Sequence, residues 1–194
     1  MKAVKRKYAV VFDLEFTAWE GSVAARWSRT GEHTEVVQIG AVKLDAERLV
    51  IVDEFAMLVK PRINPVLSDY LTNLTGITNE AIAARGVDFV TAFRAFLDFA
   101  GPAKSWAFGR DDLILAGNLK LYAWQGLTPP PYENVLPWFA AQGIDLKGKH
   151  ACDVAGAVGA PFEGREHDAL DDAKCVAAGL VHVIRNGAAN PFLT

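Results

Sequence analysis

The sequence predicts an α/β fold, a mixed β-sheet flanked by helices, and three observations carry that prediction. Short β-branched and aromatic runs cluster in the first 60 residues, and amphipathic helical segments then alternate with one further strand-like run. The composition, 51% hydrophobic and 22% charged over 194 residues, lies in the globular range and can fill the core of one domain. No repeat or low-complexity tract divides the chain, so residues 1–194 read as a single domain.

The elements follow in order. YAVVFDL (8–14) reads as a buried strand ending at the first acids. Residues 17–34 have no period and read as a surface loop. EVVQIGAVKLD (35–45) and LVIVDEFAMLVK (49–60) read as an antiparallel hairpin turning at Ala46–Arg48. LSDYLTNLTGI (67–77) predicts a helix closing at Gly76, with Leu67, Tyr70, Leu71 and Leu74 on one face. Thr78 marks a further helix start, and Phe89 to Phe99 suits an amphipathic helix. KSWAFG (104–109) is a short apolar strand, and DDLILAGNLKLYAW (111–124) opens a helix. The Pro-rich stretch 127–137 reads as a connection, HACDVAGAVG (150–159) as a short helix, and 167–186 as a long last helix.

Several function classes are excluded or weakened. No apolar run approaches the ~18 residues of a membrane span. The basic and then apolar N-terminus looks superficially like a secretory signal, but Asp13 and Glu15 interrupt it and no cleavage site follows. Cys152 and Cys175 are too few for a disulfide framework or thiolate site and read as packing residues; with no signal, the expected location is cytoplasmic. A net charge of −3 argues against coating duplex DNA. Basic clusters at Lys2, Lys5, Arg6 and Lys7, at Lys60 and Arg62, and at Lys147 and Lys149 read as solvated edges rather than phosphate tracks.

The chemistry concentrates in acids at element ends. Asp13 and Glu15 flank Leu14 where the first strand ends, and a period of two puts them on one face. Asp111 and Asp112 stand at a helix entrance, as do Asp168, Asp171 and Asp172 beside His167. Each alone has a plain reading: a strand-end cap for Asp13, an N-cap or first-turn acid for Asp111 or Asp112, a surface histidine for His167. Together they repel unless cations neutralise them, and hard oxygen ligands select magnesium or manganese. Two such ions, about 3.5–4 Å apart, suit phosphoryl displacement, and a histidine with a free pKa of about 6.5 suits proton removal from water. An HD-type phosphohydrolase is the other reading of His167–Asp168, but no companion His and Asp stand at suitable positions.

FDLEFT (12–17) and HDALDD (167–172), in this order, resemble the first and third motifs of the DEDDh 3′–5′ exonucleases of the DnaQ-like superfamily. Asp13 and Glu15 match the DxE pair, and His167 precedes Asp172 by five residues as in the histidine subgroup. EVVQIGAVKLD and LTNLTGIT (71–78) are also similar to family segments, and FDLEFT with SWAFG places the likeness in the Eri1-like and KapD-like branch. For the second motif GRDDLILAGN offers two acids: Asp111 is favoured because Ile114 and Leu115 follow it at inward spacing, with Asp112 as the alternative. The resemblance implies a ribonuclease-H-like fold, with a five-stranded mixed sheet and helices on both faces.

It implies, further, that two divalent metal ions, Mg2+ or Mn2+, are held by Asp13, Glu15, Asp111 and Asp172. Asp13 bridges them, and His167 deprotonates the attacking water. The implied partner is a nucleic acid 3′ end, RNA favoured over DNA, cut to nucleoside 5′-monophosphates; no membrane is involved, and a homodimer stays open because the family holds dimers and monomers. Substrate contacts are expected from Phe16 and Thr17 after DxE, from Leu74 and Thr75 in the TGIT region, and from Phe108, or else Trp106, by stacking. Core packing is the stronger reading for both aromatics, and local capping serves Thr75 equally well. Trp19, Trp27 and Trp124 take no assignment. The competing functions are a proofreading-type DNA exonuclease and a non-catalytic nucleic-acid-binding module.

Overall fold

The computed structural model describes residues 7–193; Lys2, Lys5 and Arg6 of the first basic cluster lie outside them. Five strands, β1 (Tyr8–Phe16), β2 (Val36–Asp45), β3 (Val50–Leu58), β4 (Lys104–Ala107) and β5 (Tyr132–Asn134), form one sheet in the order β3-β2-β1-β4-β5. The β1–β2 and β2–β3 pairs are antiparallel, whereas β1–β4 and β4–β5 are parallel. The sheet is therefore mixed and five-stranded.

Helices cover both faces. The α-helices are α1 (Ser22–Ala25), α2 (Asp69–Thr75), α3 (Asn79–Arg85), α4 (Phe89–Ala100), α5 (Asp111–Leu121), α6 (Val135–Ala141), α7 (Val154–Ala157) and α8 (Ala169–Arg185). The alternation along β1 decides what each face receives. Val10, Phe12 and Leu14 point to the core built with α4 and α5, through Phe93, Phe96 and Leu115. Ala9 and Val11 point to the opposite core, built on Val176 and Leu180 of α8 and Phe139 of α6. Asp13 and Glu15 continue this second row, so they leave β1 on the face that α8 covers.

Local chemistry explains most boundaries. Ser68, Thr78, Asp88 and Asp168 cap α2, α3, α4 and α8 by accepting from backbone N–H groups of the first turn. Gly76 ends α2 in the left-handed region at φ 65°, which glycine adopts without a Cβ penalty. The stripe expected on α2 divides: Leu67 and Leu71 are buried, while Tyr70 and Leu74 remain partly open.

Two readings need correction. The stretch 127–137 is more than a connection, since it contains β5 and the start of α6. Asn134 caps α6 by accepting from Leu136 N–H at 2.9 Å, and Pro137 falls within the first turn, where a missing N–H costs no helical bond. The 17–34 loop carries one helical turn, α1, followed by Arg26 and Trp27 at positive φ. The cysteines pack as expected: both are free, and Cys175 donates to Cys152 C=O at 3.0 Å.

Candidate active site

The C-terminal end of β1, the start of α5 and the start of α8 converge on one cleft of about 420 Å³. Asp13 and Glu15 come from β1, Asp111 from the first residue of α5, and Asp172 and His167 from the entry to α8; all five line this cleft. The four carboxylates are nearly removed from solvent, with exposures of 9%, 8%, 8% and 4%. One ligand atom from each of Glu15, His167 and Asp172 lies within 4.8 Å of the others.

Glycine and glutamine on β2 bring α8 this close. Gly40 pairs with Asp13, and a Cβ there would lie 2.1 Å from the backbone carbon of Ala169. Only a residue without a side chain lets the helix entrance settle on the sheet. Gln38, paired with Glu15, grips the same entrance from both sides. Its amide donates to Asp168 at 3.1 Å, and its carbonyl accepts from Ala169 N–H at 3.1 Å. Asp168 is thereby committed to capping α8, accepting from Leu170 and Asp171 N–H groups. His167 immediately before it is held at φ 58°, a conformation that costs about 1–3 kcal/mol in a non-glycine residue.

The electrostatics are those of acids crowded out of water. Burial, followed by the charges of Asp111, Glu15 and Asp172, pushes Asp13 well above the usual carboxylate range. Glu15 is pushed up to about 8 by burial and then by the charges of Asp172, Asp168 and Asp111. Burial first, then Asp112, raises Asp111 to about 8, and Asp172 rises to about 7 chiefly through burial. His167 moves the other way: burial and the neighbouring His150 lower it, which favours the neutral imidazole.

A cation would answer two defects at once. Asp111 Oδ2 and Asp172 Oδ1 are buried and have no hydrogen-bond partner. Buried carboxylate oxygens without donors are costly, and a divalent ion supplies both charge and coordination. The residues present therefore fit hard divalent metal ions. The choice between Asp111 and Asp112 also separates by geometry. Asp112 lies outside the cleft wall and binds Arg110 with two bonds of 2.8 and 2.9 Å, which holds its carboxyl below the ordinary range.

Phe16, Leu74 and Phe108 line the cleft, whereas Thr17 and Thr75 do not. The Thr17 hydroxyl donates to His33 C=O and accepts from Glu35 N–H, and that of Thr75 donates to Leu71 C=O and accepts from Ile77 N–H. Thr75 instead borders a neighbouring cavity of about 570 Å³, lined also by Arg85 and Arg165 and holding none of the four acids. Trp106 is core, packed edge-on against Phe192 at 5.6 Å.

Sequence reasoning missed Trp27, His150, Gln38 and Gly40. Trp27 walls the cleft, lies tilted against Phe16 with ring centres 5.4 Å apart, and donates to Thr17 C=O at 2.9 Å. His150 also lines it, with its ring centre 6.3 Å from that of His167. No sequence spacing signals either, since both arrive from distant loops.

Residues 10–180 match the RNase_T family of exonucleases. The chain belongs to that family. Its relatives include 3′-5′ exonuclease Snipper of Drosophila melanogaster, 26% identical across 93% of this chain and 70% of its own length. Human 3′-5′ exoribonuclease 1 is 23% identical over 93% of this chain and 53% of its own, and Xenopus laevis ERI1 exoribonuclease 2 is 32% identical over 93% and 29%. The chain thus spans about half or less of the length of these last two. The fold is that of the nuclease domain of 3′hExo, a DEDDh family member solved bound to rAMP (TM-score 0.79, 22% identity, 96% of each chain). Cell-death related nuclease 4 shares it at TM-score 0.76, 24% identity and 94% and 65% coverage. Among the described residues no helix is long and apolar enough to cross a membrane.

Proposed function

We propose that this member of the exonuclease family shortens a nucleic acid one nucleotide at a time from its 3′ end, acting on single-stranded or overhanging RNA and releasing nucleoside 5′-monophosphates. The observation that carries the reading is the convergence of four buried carboxylates, two with orphaned oxygens, beside His167 in one open cleft. Asp13, Glu15, Asp111 and Asp172 would hold two Mg2+ or Mn2+ ions. Such ions, when bound, stabilise the attacking and leaving oxygens of phosphodiester hydrolysis. Asp13 would hold the ions together with Asp111, Glu15 and Asp172, all of which act on its charge.

His167 supplies a base. Burial and His150 favour its neutral form, which would accept the proton of the attacking water at a ring nitrogen. Phe16, Leu74 and Phe108 offer apolar wall to the terminal nucleoside. Thr17 and Thr75 shape the loops behind that wall through their hydroxyl bonds. The names of the relatives, several of them exoribonucleases, support RNA as substrate. Two free cysteines suit a reducing compartment, in keeping with a cytoplasmic setting. A homodimer, if formed, has an open edge in β3, where Val50, Ile51 and Val52 are exposed.

Incubating 5′-labelled and 3′-labelled RNA and DNA strands with Mg2+ or with chelator tests the reading. The expected result is a ladder shortening from the 3′ end of RNA, with release of labelled mononucleotide and none in chelator. Internal cuts, or digestion that persists in chelator, would contradict the proposal. DNA cut faster than RNA would move it to the proofreading type.

A further inference from the structure

A second groove, of about 400 Å³, lies at the far end of α5 from the acids. Lys60, Arg62, Asp88, Arg94, Tyr122 and Trp124 line it. The Arg62 guanidinium sits 5.9 Å from the centre of the Tyr122 ring, and that of Arg94 sits 5.2 Å from the Trp124 ring. Lys60, Arg62 and Arg94 are exposed, and among the described residues none has a carboxylate within 4.0 Å. The one acid in the lining, Asp88, is turned to its own helix, accepting from Thr91 N–H at 3.0 Å and from the Thr91 hydroxyl.

The groove is also held rigid from beneath. Glu35 is fully buried and accepts from the backbone N–H groups of Arg62, Ile63 and Asn64 at 2.6–2.7 Å and from the Tyr122 hydroxyl at 2.7 Å. A buried carboxylate with four donors fixes Arg62 and Tyr122 relative to each other. Three unpaired cations interleaved with two aromatic rings, one of them the half-open Trp124, form the surface that single-stranded nucleic acid binds: charge for phosphates, a flat face for a base. An acidic peptide would use the cations and leave the rings without purpose.

We propose that this groove seats the single strand upstream of the nucleotide lying in the acid cleft, with phosphates on Lys60, Arg62 and Arg94 and a base on Trp124. The inference rests on the nuclease reading and deepens it by setting a minimum substrate length. Helix α5 runs from Asp111, in the cleft, to Leu121, next to Tyr122, about 15 Å at 1.5 Å per residue. At about 3.4 Å per stacked nucleotide that is four to five nucleotides or more. A dinucleotide in the cleft therefore does not reach the groove, whereas a 12-mer does.

The test is affinity for a fluorescent single-stranded 12-mer in chelator, set beside cleavage of a dinucleotide in Mg2+. The double variant Lys60→Glu/Arg94→Glu should bind the 12-mer at least ~10-fold more weakly and flatten the log–log salt dependence by about 1.4, two phosphates at about 0.7 each. Trp124→Ala should weaken 12-mer binding roughly 5- to 150-fold, the usual strength of a base–aromatic stack. Dinucleotide cleavage should stay within about twofold in both variants. Unchanged 12-mer affinity overturns the proposal, whichever acidic protein the face then serves. Equal losses on dinucleotide and 12-mer overturn it too. Binding is read without turnover, so a wild-type protein that cuts nothing would count against the exonuclease reading and leave the groove measurement standing.

Discussion

At the scale of single residues, the acids of the cleft divide by what surrounds them. Asp111 is buried with an orphaned oxygen, while its neighbour Asp112 is tied to Arg110 at the surface. Asp111→Asn should therefore cost activity on 5′-labelled RNA by more than the ~10–100-fold typical of an outer partner of a metal ligand. Asp112→Asn should change it by about twofold or less, and the reverse order would exchange their roles. Asp13→Asn should lose activity as Asp111→Asn does, yet it should leave the metal-free melting temperature unchanged or raise it, because a neutral amide needs no proton to be buried among the other acids. His167→Ala should slow cleavage roughly 10²–10⁴-fold, the usual contribution of a general base. A near-neutral result for His167→Ala would move the base to another group, with His150 the nearest imidazole.

At the scale of elements, the site depends on how tightly the entrance of α8 lies on β2. Gly40→Ala would place a carbon 2.1 Å from the Ala169 backbone, an overpacking that costs about 1–3 kcal/mol. For a chain of this size that is a fall of ~2–12 °C in melting temperature, accompanied by lost cleavage at 20 °C because His167 and Asp172 move with the helix. A variant that melts and cuts like the wild type would show that the entrance has slack. The elements differ in how far their own residues declare them. Thr78 and Gly76 mark their helix ends by local chemistry, and the alternation in β1 sends Asp13 and Glu15 to one face whatever surrounds them. Strand β5 has three residues inside a Pro-rich stretch and exists only because β4 offers it an edge. The same reason hid Gln38 and Gly40: each is an ordinary strand residue until α8 arrives from 130 residues away. The four acids and the His167 imidazole that line the cleft were legible because they sit at element ends, while Trp27 and His150 reach it only through the tertiary path of their loops.

At the scale of the whole molecule, the acid cluster sets how stability depends on pH. In the metal-free fold Glu15 and Asp111 hold protons to about pH 8 and Asp172 to about pH 7, whereas in the unfolded chain they release them near pH 4. Folded-state pKa values raised in this way contribute stability that is complete below about pH 4 and is lost as pH rises through 7–8. In chelator the melting temperature should therefore fall between pH 6 and pH 9, and excess Mg2+ should flatten that fall by replacing the protons. A melting temperature in chelator that rises over this range would contradict the assigned burial of the acids. Calorimetric titration with Mn2+ at several pH values, in buffers of different ionisation enthalpy, tests whether the buried acids exchange protons for metal ions. Two ions per chain should bind, more tightly as pH rises from 6 to 8, with protons released on binding and the Asp13→Asn variant unable to take up the pair. Absence of binding, or binding with no proton release and no response to Asp13→Asn, would contradict it.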